Sequence, residues 1–396
     1  MNYEFLTKLK SVTLILFLSL LTCHAAQANT EESGKFNPGQ FIIDHIIDSY
    51  GWHITTIGEH EISIPLPVIL IDNGKPVVFM SSGFHHGHAA YKGYAIGFTP
   101  ETKGKIVRVT AADGTPFIGE LEHGQTYQLN TTSTLIDLSI TKNVCSLFIS
   151  IILICIIFLT VAKQYKRREG KAPKGLQSLL EPLIIFVRDD IAIPSIGAKY
   201  AKYLPYLLTL FFFILINNLM GLVPIFPGGA NLTGNIAVTA ILALLTFLIT
   251  TFSANKNYWK HIFNTPGVPW WLKVPLPLMP MVELIGVFTK PFVLMVRLFA
   301  NITAGHIIVL GFIALIFIFG QMTPALGYGV SVASLFFYLF MGLLELIVGF
   351  VQALVFTLLT ALYIGMALEE HDEHEEHNTE IATVTVATSE NKSEIE

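Results

Sequence analysis

Long apolar runs, separated by short polar loops, constrain the possible folds of this chain more than any other feature of its sequence. The two longest, Leu278–Phe319 and Tyr328–Leu368, are each about twice the roughly 20 apolar residues that cross a bilayer as a helix. Three shorter runs cover Val144–Ala162, Tyr203–Val223 and Leu232–Phe252. Only 13% of the residues are charged, against about 25% in soluble domains. The sequence therefore predicts an all-α polytopic membrane protein with about five transmembrane helices.

The two longest runs need an explanation of their own. A straight helix of this length measures about 60 Å, whereas the hydrocarbon core of a bilayer is about 30 Å thick. Either each run contains two spans, or each is one long, strongly tilted helix whose ends lie outside the core. The turn-forming segment TPALGYG (Thr323–Gly329) is the one good break between the runs. We therefore expect two long, tilted helices that form a hairpin.

The first 28 residues have the features of a secretory signal peptide. Lys8 and Lys10 precede an apolar core, Val12–Leu21, and the sequence AQA (Ala26–Ala28) fits a cleavage site flanked by small residues. An uncleaved anchor is the alternative, but about ten apolar residues are too few to span a bilayer. We expect cleavage near Asn29, which would place the following segment outside the cytoplasm.

Residues 29–143 differ in composition from the rest of the chain. They contain short β-favouring runs, broken by Gly, Pro and Asp: ISIPLPVILI, PVVFM, KIVRVTAADGTPFIGEL and TYQLN. Such a pattern is typical of β-hairpins. It predicts a small β-rich extracytoplasmic N-terminal domain, preceded by a short helix at about Phe41–Tyr50.

Lysine and arginine counts in the short loops predict the orientation. Six lie between Lys163 and Lys174 and three lie in the 254–276 loop, whereas the 226–231 and 320–327 loops contain none. Because basic loops stay on the cytoplasmic side, the N-terminal domain is expected outside and the C-terminus inside. The acidic tail, residues 369–396, does not conflict with this, since Asp and Glu contribute little to orientation.

The segment Leu180–Gly197 is half apolar and is interrupted by prolines. We expect it to lie along the membrane surface or to dip into the membrane.

Ionisable and polar residues inside the two long runs are the candidate functional residues. At about 100° per residue, Asn301 and Glu283 fall near the face of Arg297, whereas His306 falls on the opposite face. On the next run, Glu345, Gln352 and Tyr363 share one stripe. A carboxylate and an imidazole inside a membrane suit a proton relay, whereas an arginine remains charged and needs an anion. The structural alternatives are an ion pair of Arg297 with Glu283 or Glu345, and ordinary packing of His306.

These residues carry a resemblance to a known family. KPFVLMVRLFANITAGH (290–306), followed by ELIVGFVQALVFTLLTALYIGMALEEH (345–371), resembles subunit a of the membrane sector of F-type ATP synthase. NNLMGLVP (217–224) and FVRDDIAIPSIG (186–197) resemble earlier helices of that family. The resemblance covers about residues 140–372, and its most specific part is R-L-F-x-N-x-x-A-G. Residues 30–143 carry no motif of that family.

The resemblance implies a non-catalytic, proton-translocating stator subunit in a bacterial inner membrane, with no cofactor and no nucleic acid. Arg297 would face the carboxylates of a rotating ring of c subunits and separate two half-channels. His306 and Glu345 would relay protons, while Glu283, Asn301, Gln352, Asn218 and Tyr363 would line the channels. The implied partners are the c-subunit ring, the peripheral-stalk b subunits, the rest of the synthase and membrane lipid.

Two positions depart from the family pattern. In well-known bacterial members an acid occupies the place of His306 and a histidine that of Glu345, so the two residue types are exchanged here. An exchange that keeps the pair intact predicts that the two side chains meet across the helix hairpin. Gly221 stands where some members have Asp, which makes a relay role at this position doubtful.

Other function classes fit the sequence less well. A secondary ion transporter or antiporter is the main alternative, but such folds usually show paired repeats, and none is visible here. A passive anchor would not need Arg297, His306 and Glu345 together. No phosphate-binding G-x-x-x-x-G-K-[ST] loop occurs in the chain. The histidines of GFHHGH (83–88) and of the acidic tail indicate solvated segments better than a metal site.

Overall fold

The computed structural model describes residues 37–57, 60–97, 102, 104–111, 115–121, 127–130, 135–168, 170–223, 228–263 and 278–368. The predicted signal peptide and the acidic tail lie outside the described residues. The chain divides into two compact units. The first unit comprises Met1–Ala162, Phe213–Asn235 and Phe299–Val351, and the second comprises Lys163–Phe212, Ile236–Leu298 and Gln352–Glu396.

The N-terminal part of the first unit is β-rich, as the sequence predicts. Helix α1 (Pro38–Ile46) precedes the strands β1 (Gly51–Ile57), β2 (His60–Pro65), β3 (Pro67–Asp72), β4 (Lys75–Met80), β5 (Ala89–Ala90), β6 (Tyr94–Ile96), β7 (Ile106–Ala111), β8 (Gly119–Glu120), β9 (Tyr127–Asn130) and β10 (Leu135–Asp137). A 3₁₀ helix, Ser81–Gly87, follows β4. The strands pair antiparallel in four small sheets, with the orders β1-β2, β10-β3-β4, β5-β8 and β6-β7-β9.

Strand β3 shows how alternation builds the core of this part. Every second residue points inward, so Val68 and Leu70 are fully buried against Phe79 and Tyr94. The third inward residue is Asp72, which is buried as well. Its Oδ2 accepts a 2.7 Å hydrogen bond from the Tyr94 hydroxyl and forms an ion pair with Arg108. A buried carboxylate is tolerated here because a phenol and a guanidinium both contact it.

The β-rich part is tied directly to the first membrane-length helix, α2 (Lys142–Arg167). The Lys142 N–H donates to the Ser49 carbonyl at 2.8 Å. The Asn143 N–H donates to Oδ1 of Asp48 at 3.0 Å. Asp48 therefore acts as a cap that is remote in sequence, since its carboxylate satisfies a free N–H in the first turn of α2.

The remaining helices are α3 (Leu176–Phe186), α4 (Ile193–Ile196), α5 (Tyr200–Leu222), α6 (Ile236–Ser253), α7 (Lys256–Phe263), α8 (Leu278–Met322) and α9 (Pro324–Leu368). A π-helical segment, Val187–Ala192, joins α3 to α4, and a 3₁₀ turn, Gly197–Lys199, joins α4 to α5. Five helical stretches in the described chain are long and apolar enough to cross a membrane: Lys142–Arg167, Leu176–Leu222, Ile236–Ser253, Pro280–Met322 and Pro324–Leu368. The prediction of a mainly helical, multi-pass membrane protein is confirmed.

Several predicted boundaries were wrong by a few residues. Helix α1 starts three residues earlier than expected because Asn37 accepts from the Gly39 N–H and Pro38 occupies the first helical position. Helix α2 continues past Ala162 to Arg167, since Lys, Gln and Arg are good helix formers. Helix α6 starts at Ile236 instead of Leu232, because a non-helical segment, residues 228–235, precedes it.

The expected hairpin of two long helices is present, with a tighter connection than predicted. Only Thr323 separates α8 from α9, and Pro324 begins α9, where its missing N–H is harmless. Ala325–Gly329 are therefore helical instead of forming a loop. In the first unit the rings of Phe312 and Phe337 stack with centroids 5.5 Å apart. The two helices are thus antiparallel neighbours, and their tilt in the membrane stays a prediction.

The second unit is held together by hydrogen bonds between its helices. The Tyr206 hydroxyl lies 3.0 Å from Oγ1 of Thr246, which lies 3.4 Å from Oγ1 of Thr360. These contacts connect α5, α6 and α9. Asn255 donates from its N–H to the Ala367 carbonyl and from Nδ2 to the Leu368 carbonyl, at 2.9 and 3.0 Å. It therefore satisfies two carbonyls that the end of α9 leaves free.

Candidate functional site

Arg297 is exposed on the surface of the second unit. Asn301, one turn further along α8 and already in the first unit, is exposed as well, whereas Leu294 and Leu298 are buried. Within the described part of its unit, no carboxylate forms an ion pair with Arg297, so an ion pair with Glu283 is not seen. An arginine at the centre of a bilayer costs about 2.5–3.5 kcal/mol. The guanidinium is thus an exposed charge without an ion-pair partner among the described carboxylates of the second unit.

His306 and Glu345 lie together in the first unit, as the exchanged residue types predict. Nδ1 of His306 lies 3.0 Å from Oε1 of Glu345. The Glu345 side chain is only 5% exposed and that of His306 17%. Among the described residues, Oε1 of Glu345 has no aligned hydrogen bond. This carboxylate and this imidazole form a close acid–base pair, and each is a group that can gain or lose a proton.

Glycine at position 305 allows this close contact. A Cβ at Gly305 would lie 3.0 Å from Oε1 and 3.1 Å from Cδ of Glu345. By contrast, a Cβ at Gly311, further along α8, would meet nothing within 4 Å. The side chain of Glu345 therefore occupies the space above Gly305, and any larger residue would have to displace the carboxylate.

The other ring nitrogen of His306 faces the end of α5. A Cβ at Gly221 would lie 3.7 Å from Nε2 of His306 and 3.5 Å from the Ala230 carbonyl oxygen. The departure from the family pattern at Gly221 thus falls next to the acid–base pair. An acidic side chain at this position would point towards the imidazole.

Asn218 precedes Gly221 by one turn of α5, and both ends of its amide are hydrogen-bonded to the protein. Nδ2 donates to the Gly349 carbonyl at 2.8 Å, and Oδ1 accepts from Oγ1 of Thr233 at 2.6 Å. Asn218 is 4% exposed and Thr233 1%. The sequence pattern points to Asn218 but gives no reason to single out Thr233 or Gly349, because neither type is unusual in its position.

The other predicted site residues lie in the second unit. Gln352 is buried, whereas Glu283 and Tyr363 are half-buried. Nζ of Lys290 lies 5.7 Å from the ring centroid of Tyr363. Lys290 was missed in the sequence, although it lies seven residues from both Glu283 and Arg297 and so shares their face of α8. That heptad spacing is the signal that identifies it.

Tyr363 and Lys290 line a small cavity in this unit. Its volume is about 20 Å³, and Thr246, Thr250 and Tyr258 also contribute to its wall. That is room for about one water molecule.

No group of three or more His, Cys, Asp or Glu in the described ranges is arranged to hold a metal ion.

Comparison with known proteins gives matches over most of the chain. Residues 144–365 match the family described as ATP synthase A chain, and residues 41–138 match a family described as a domain of unknown function. ATP synthase subunit a of Chlorobium phaeobacteroides is 39% identical over 307 residues, which cover 76% of this chain and 85% of that protein.

Two further relatives have similar identities over a shorter length. ATP synthase subunit a of Chloroherpeton thalassium is 44% identical over 251 residues, which cover 62% of this chain and 70% of that protein. ATP synthase subunit a 2 of Chlorobaculum tepidum is 45% identical over 251 residues, which cover 62% of this chain and 67% of that protein.

Proposed function

This chain belongs to the ATP synthase A chain family, and on that premise we propose that it is the proton-translocating stator subunit a of an F-type ATP synthase. In this role it is not itself catalytic. It provides the path along which protons cross the membrane, while ATP is made elsewhere in the complex. Each charge that crosses releases about 2.3 kcal/mol per 100 mV of membrane potential. Two observations carry the proposal: Arg297 of α8 is exposed, and His306 of α8 forms a buried acid–base pair with Glu345 of α9.

Arg297 is the group that meets the rotating ring in this proposal. Its exposed guanidinium has no partner among the described carboxylates of its unit, and each c subunit of the ring would present one carboxylate in turn. An arginine stays protonated under all physiological conditions, so it can attract that carboxylate but cannot pass a proton on. It therefore blocks direct proton flow between the two half-channels.

The His306–Glu345 pair is the relay of the half-channel that opens to the outside. Both groups exchange protons at modest cost, and they are 3.0 Å apart. From this pair the proton would pass to a ring carboxylate. After rotation it would leave on the cytoplasmic side, where Glu283, Lys290 and Tyr363 provide polar groups. Asn301 and Gln352 complete the polar lining of the two half-channels.

The orientation proposed for the protein follows from its loops. The 163–174 and 254–276 loops hold the Lys and Arg excess and lie on the cytoplasmic side of a bacterial inner membrane. The β-rich domain, residues 29–143, then lies outside, after removal of signal peptide 1–28. The transmembrane channel domain covers residues 144–368, and the tail 369–396 lies in the cytoplasm. The direct partners would be the c-subunit ring and the peripheral-stalk b subunits.

The test of the function is replacement of Arg297 in the assembled complex. Arg297→Lys keeps a positive charge but loses the planar, permanently protonated group, so we expect gradient-driven ATP synthesis to be abolished. Arg297→Ala should abolish it too and should increase passive proton leakage, because the barrier between the half-channels is removed. Membrane vesicles are assayed for acidification and for ATP synthesis.

Val296→Ala is the matched control, since Val296 is an exposed neighbour on the same helix. It should leave synthesis close to wild type. Co-purification of the ring with every variant shows that assembly is normal. Near-normal coupled synthesis in Arg297→Lys would leave Arg297 as a structural residue and would overturn the mechanism.

A further inference from the structure

Asn218 is held by protein groups at both ends of its amide. It donates to the Gly349 carbonyl of α9 at 2.8 Å and accepts from the Thr233 hydroxyl at 2.6 Å. Both bonds are buried, where a hydrogen bond is costly to leave unmade. The side chain is only 4% exposed. Its amide connects the end of α5 to α9 and to the segment 228–235.

The segment 228–235 is connected to α8 as well. Oγ1 of Thr303 lies 3.4 Å from the carbonyl oxygen of Gly234, the residue after Thr233. A chain of polar contacts therefore runs from Thr303 on α8, through Gly234 and Thr233, to Asn218 and on to Gly349 of α9. It links the two helices that carry His306 and Glu345.

The first and last residues of this series of polar contacts lie one helical turn from the acid–base pair. Thr303 precedes His306 by three residues, and Gly349 follows Glu345 by four. Residues three or four apart lie on the same side of a helix. The contacts thus fix the spacing and register of α8 and α9 at the level where His306 and Glu345 meet.

Gly349 contributes to these contacts because it has no side chain. A Cβ at Gly349 would lie 3.2 Å from Cβ of Asn218, tighter than ordinary packing. A Cβ at Gly342, seven residues earlier on α9, would meet nothing within 4 Å. The glycine at 349 therefore permits α5 to approach α9 closely enough for the Asn218 hydrogen bond.

We propose that Asn218, Thr233 and Gly349 form a bracket that positions Glu345 against His306. Asn218 then acts through this pair as a positioning residue and does not handle the proton with its own amide. The proposal rests on the proposed function, in which the pair relays protons. Loss of the bracket would let α9 move relative to α8 and would lengthen the 3.0 Å contact between the two groups.

The readout that separates positioning from mere stability is the pH profile of proton flux. The protonation of each member of a close acid–base pair depends on the charge of the other, so a longer distance changes the pH at which flux is half-maximal. Within the described part of the chain, Lys142 at the start of α2 also interacts with His306 through its charge. Lys142 is unchanged in all bracket variants and so contributes equally to each profile.

The experiment compares Thr233→Val and Gly349→Ala with the matched controls Thr233→Ser and Gly342→Ala in the complete synthase. Thr233→Val removes the hydroxyl at nearly constant volume, whereas Thr233→Ser keeps it. ATP-driven acidification of inverted vesicles is measured from about pH 6 to 9 and normalised to the assembled complex. We expect both bracket variants to lose flux several-fold and to shift the midpoint of the profile by at least half a pH unit. The controls should match wild type.

Two outcomes would overturn the proposal. One is wild-type flux in Thr233→Val. The other is a loss of flux in proportion to the amount of assembled complex with an unchanged pH profile, which would show that the contacts only stabilise the fold. Glu345→Gln separates this proposal from the function on which it rests. If Glu345→Gln itself keeps wild-type flux, the relay fails; if it stops flux while the bracket variants keep the wild-type profile, only the bracket fails.

Discussion

At the scale of single residues, the exchange of His and Glu at positions 306 and 345 is the most informative departure from the family pattern. In the structure the two groups meet at 3.0 Å, and neither meets a second described carboxylate or imidazole. A pair that works by passing a proton between its members needs one acid and one base, in either order. The pair, more than the type at each position, is then the functional unit.

The pairing leads to a double-exchange prediction. His306→Ala or Glu345→Ala should each reduce proton flux at least tenfold, because a relay with one member missing is interrupted. His306→Glu combined with Glu345→His should restore part of the flux, since it rebuilds the pair in the opposite order. Acidification of inverted vesicles measures the effect. Flux in the double exchange no better than in the worse single variant would show that the two residues act separately.

The glycine at 305 supports a second prediction at this scale. Gly305→Ala places a methyl group 3.0 Å from Oε1 of Glu345, so the carboxylate must move from its contact with His306. We expect proton flux to fall several-fold with normal assembly. Gly311→Ala is the control on the same helix, because its Cβ would meet nothing within 4 Å. Equal flux in the two variants would contradict a requirement for close approach at Gly305.

At the scale of elements, the sequence predicts the helices and strands better than their ends and junctions. Apolar length predicts the five spans, and alternation predicts strands such as β3, because both patterns are local. The π-helical junction at Val187–Ala192 and the one-residue break at Thr323 were not predicted. They depend on how neighbouring helices fit together, which a local pattern does not contain.

The same distinction applies to the candidate site. The sequence singles out Arg297, His306 and Glu345 as candidates, since charged residues are rare in apolar runs. It also predicted the meeting of His306 and Glu345. It did not identify Thr233, Thr303 or Gly349, because Thr and Gly are common in membrane helices and loops. Their proposed role depends on contacts between elements far apart in the chain.

The buried polar cluster of the β-rich part predicts how its stability depends on pH. Burial, followed by the hydrogen bond to Asp72, raises the pKa of Tyr94 above its usual range. In the unfolded chain tyrosine loses its proton near pH 10. In the folded domain Tyr94 keeps its proton to a higher pH. Above pH 10 the unfolded state therefore binds fewer protons than the folded state, and the free energy of unfolding falls. Below about pH 10, Tyr94 should contribute a constant stabilisation.

Hydrogen exchange of β3 and β7 in the full-length protein measures this effect. Protection of these strands should be constant between about pH 7 and 9.5, after correction for the intrinsic exchange rate, and should fall above pH 10. Tyr94→Phe should lower the free energy of protection by about 1 kcal/mol at neutral pH, the usual value of one hydrogen bond. It should also make the loss of protection above pH 10 smaller. Tyr91→Phe is the control, since Tyr91 is exposed. Protection that rises above pH 10 would contradict the stated sign.

At the scale of the whole molecule, charge and apolar surface are segregated along the chain. The membrane-length helices expose large apolar side chains over most of their surfaces, as in Phe148 and Ile152 of α2. The basic residues are concentrated in segments that the structure places at or just beyond helix ends, between Lys163 and Lys174 and around α7. Because α2 joins the β-rich part directly to the first basic loop, these two regions must lie on opposite sides if α2 crosses the membrane once.

That requirement gives a direct test of topology by cysteine labelling. The native cysteines, Cys23, Cys145 and Cys155, are first replaced by serine, and a single cysteine is introduced at Lys105 of the β-rich part or at Lys171 of the basic loop. Both positions are exposed in the structure. A maleimide that cannot cross membranes should label Lys105→Cys only in right-side-out vesicles and Lys171→Cys only in inverted ones. Because α2 is 26 residues long, about 39 Å, it is long enough for a single crossing of the bilayer core. Labelling of both positions from the same side would rule out α2 as a span, and the reverse pattern would place the β-rich domain in the cytoplasm.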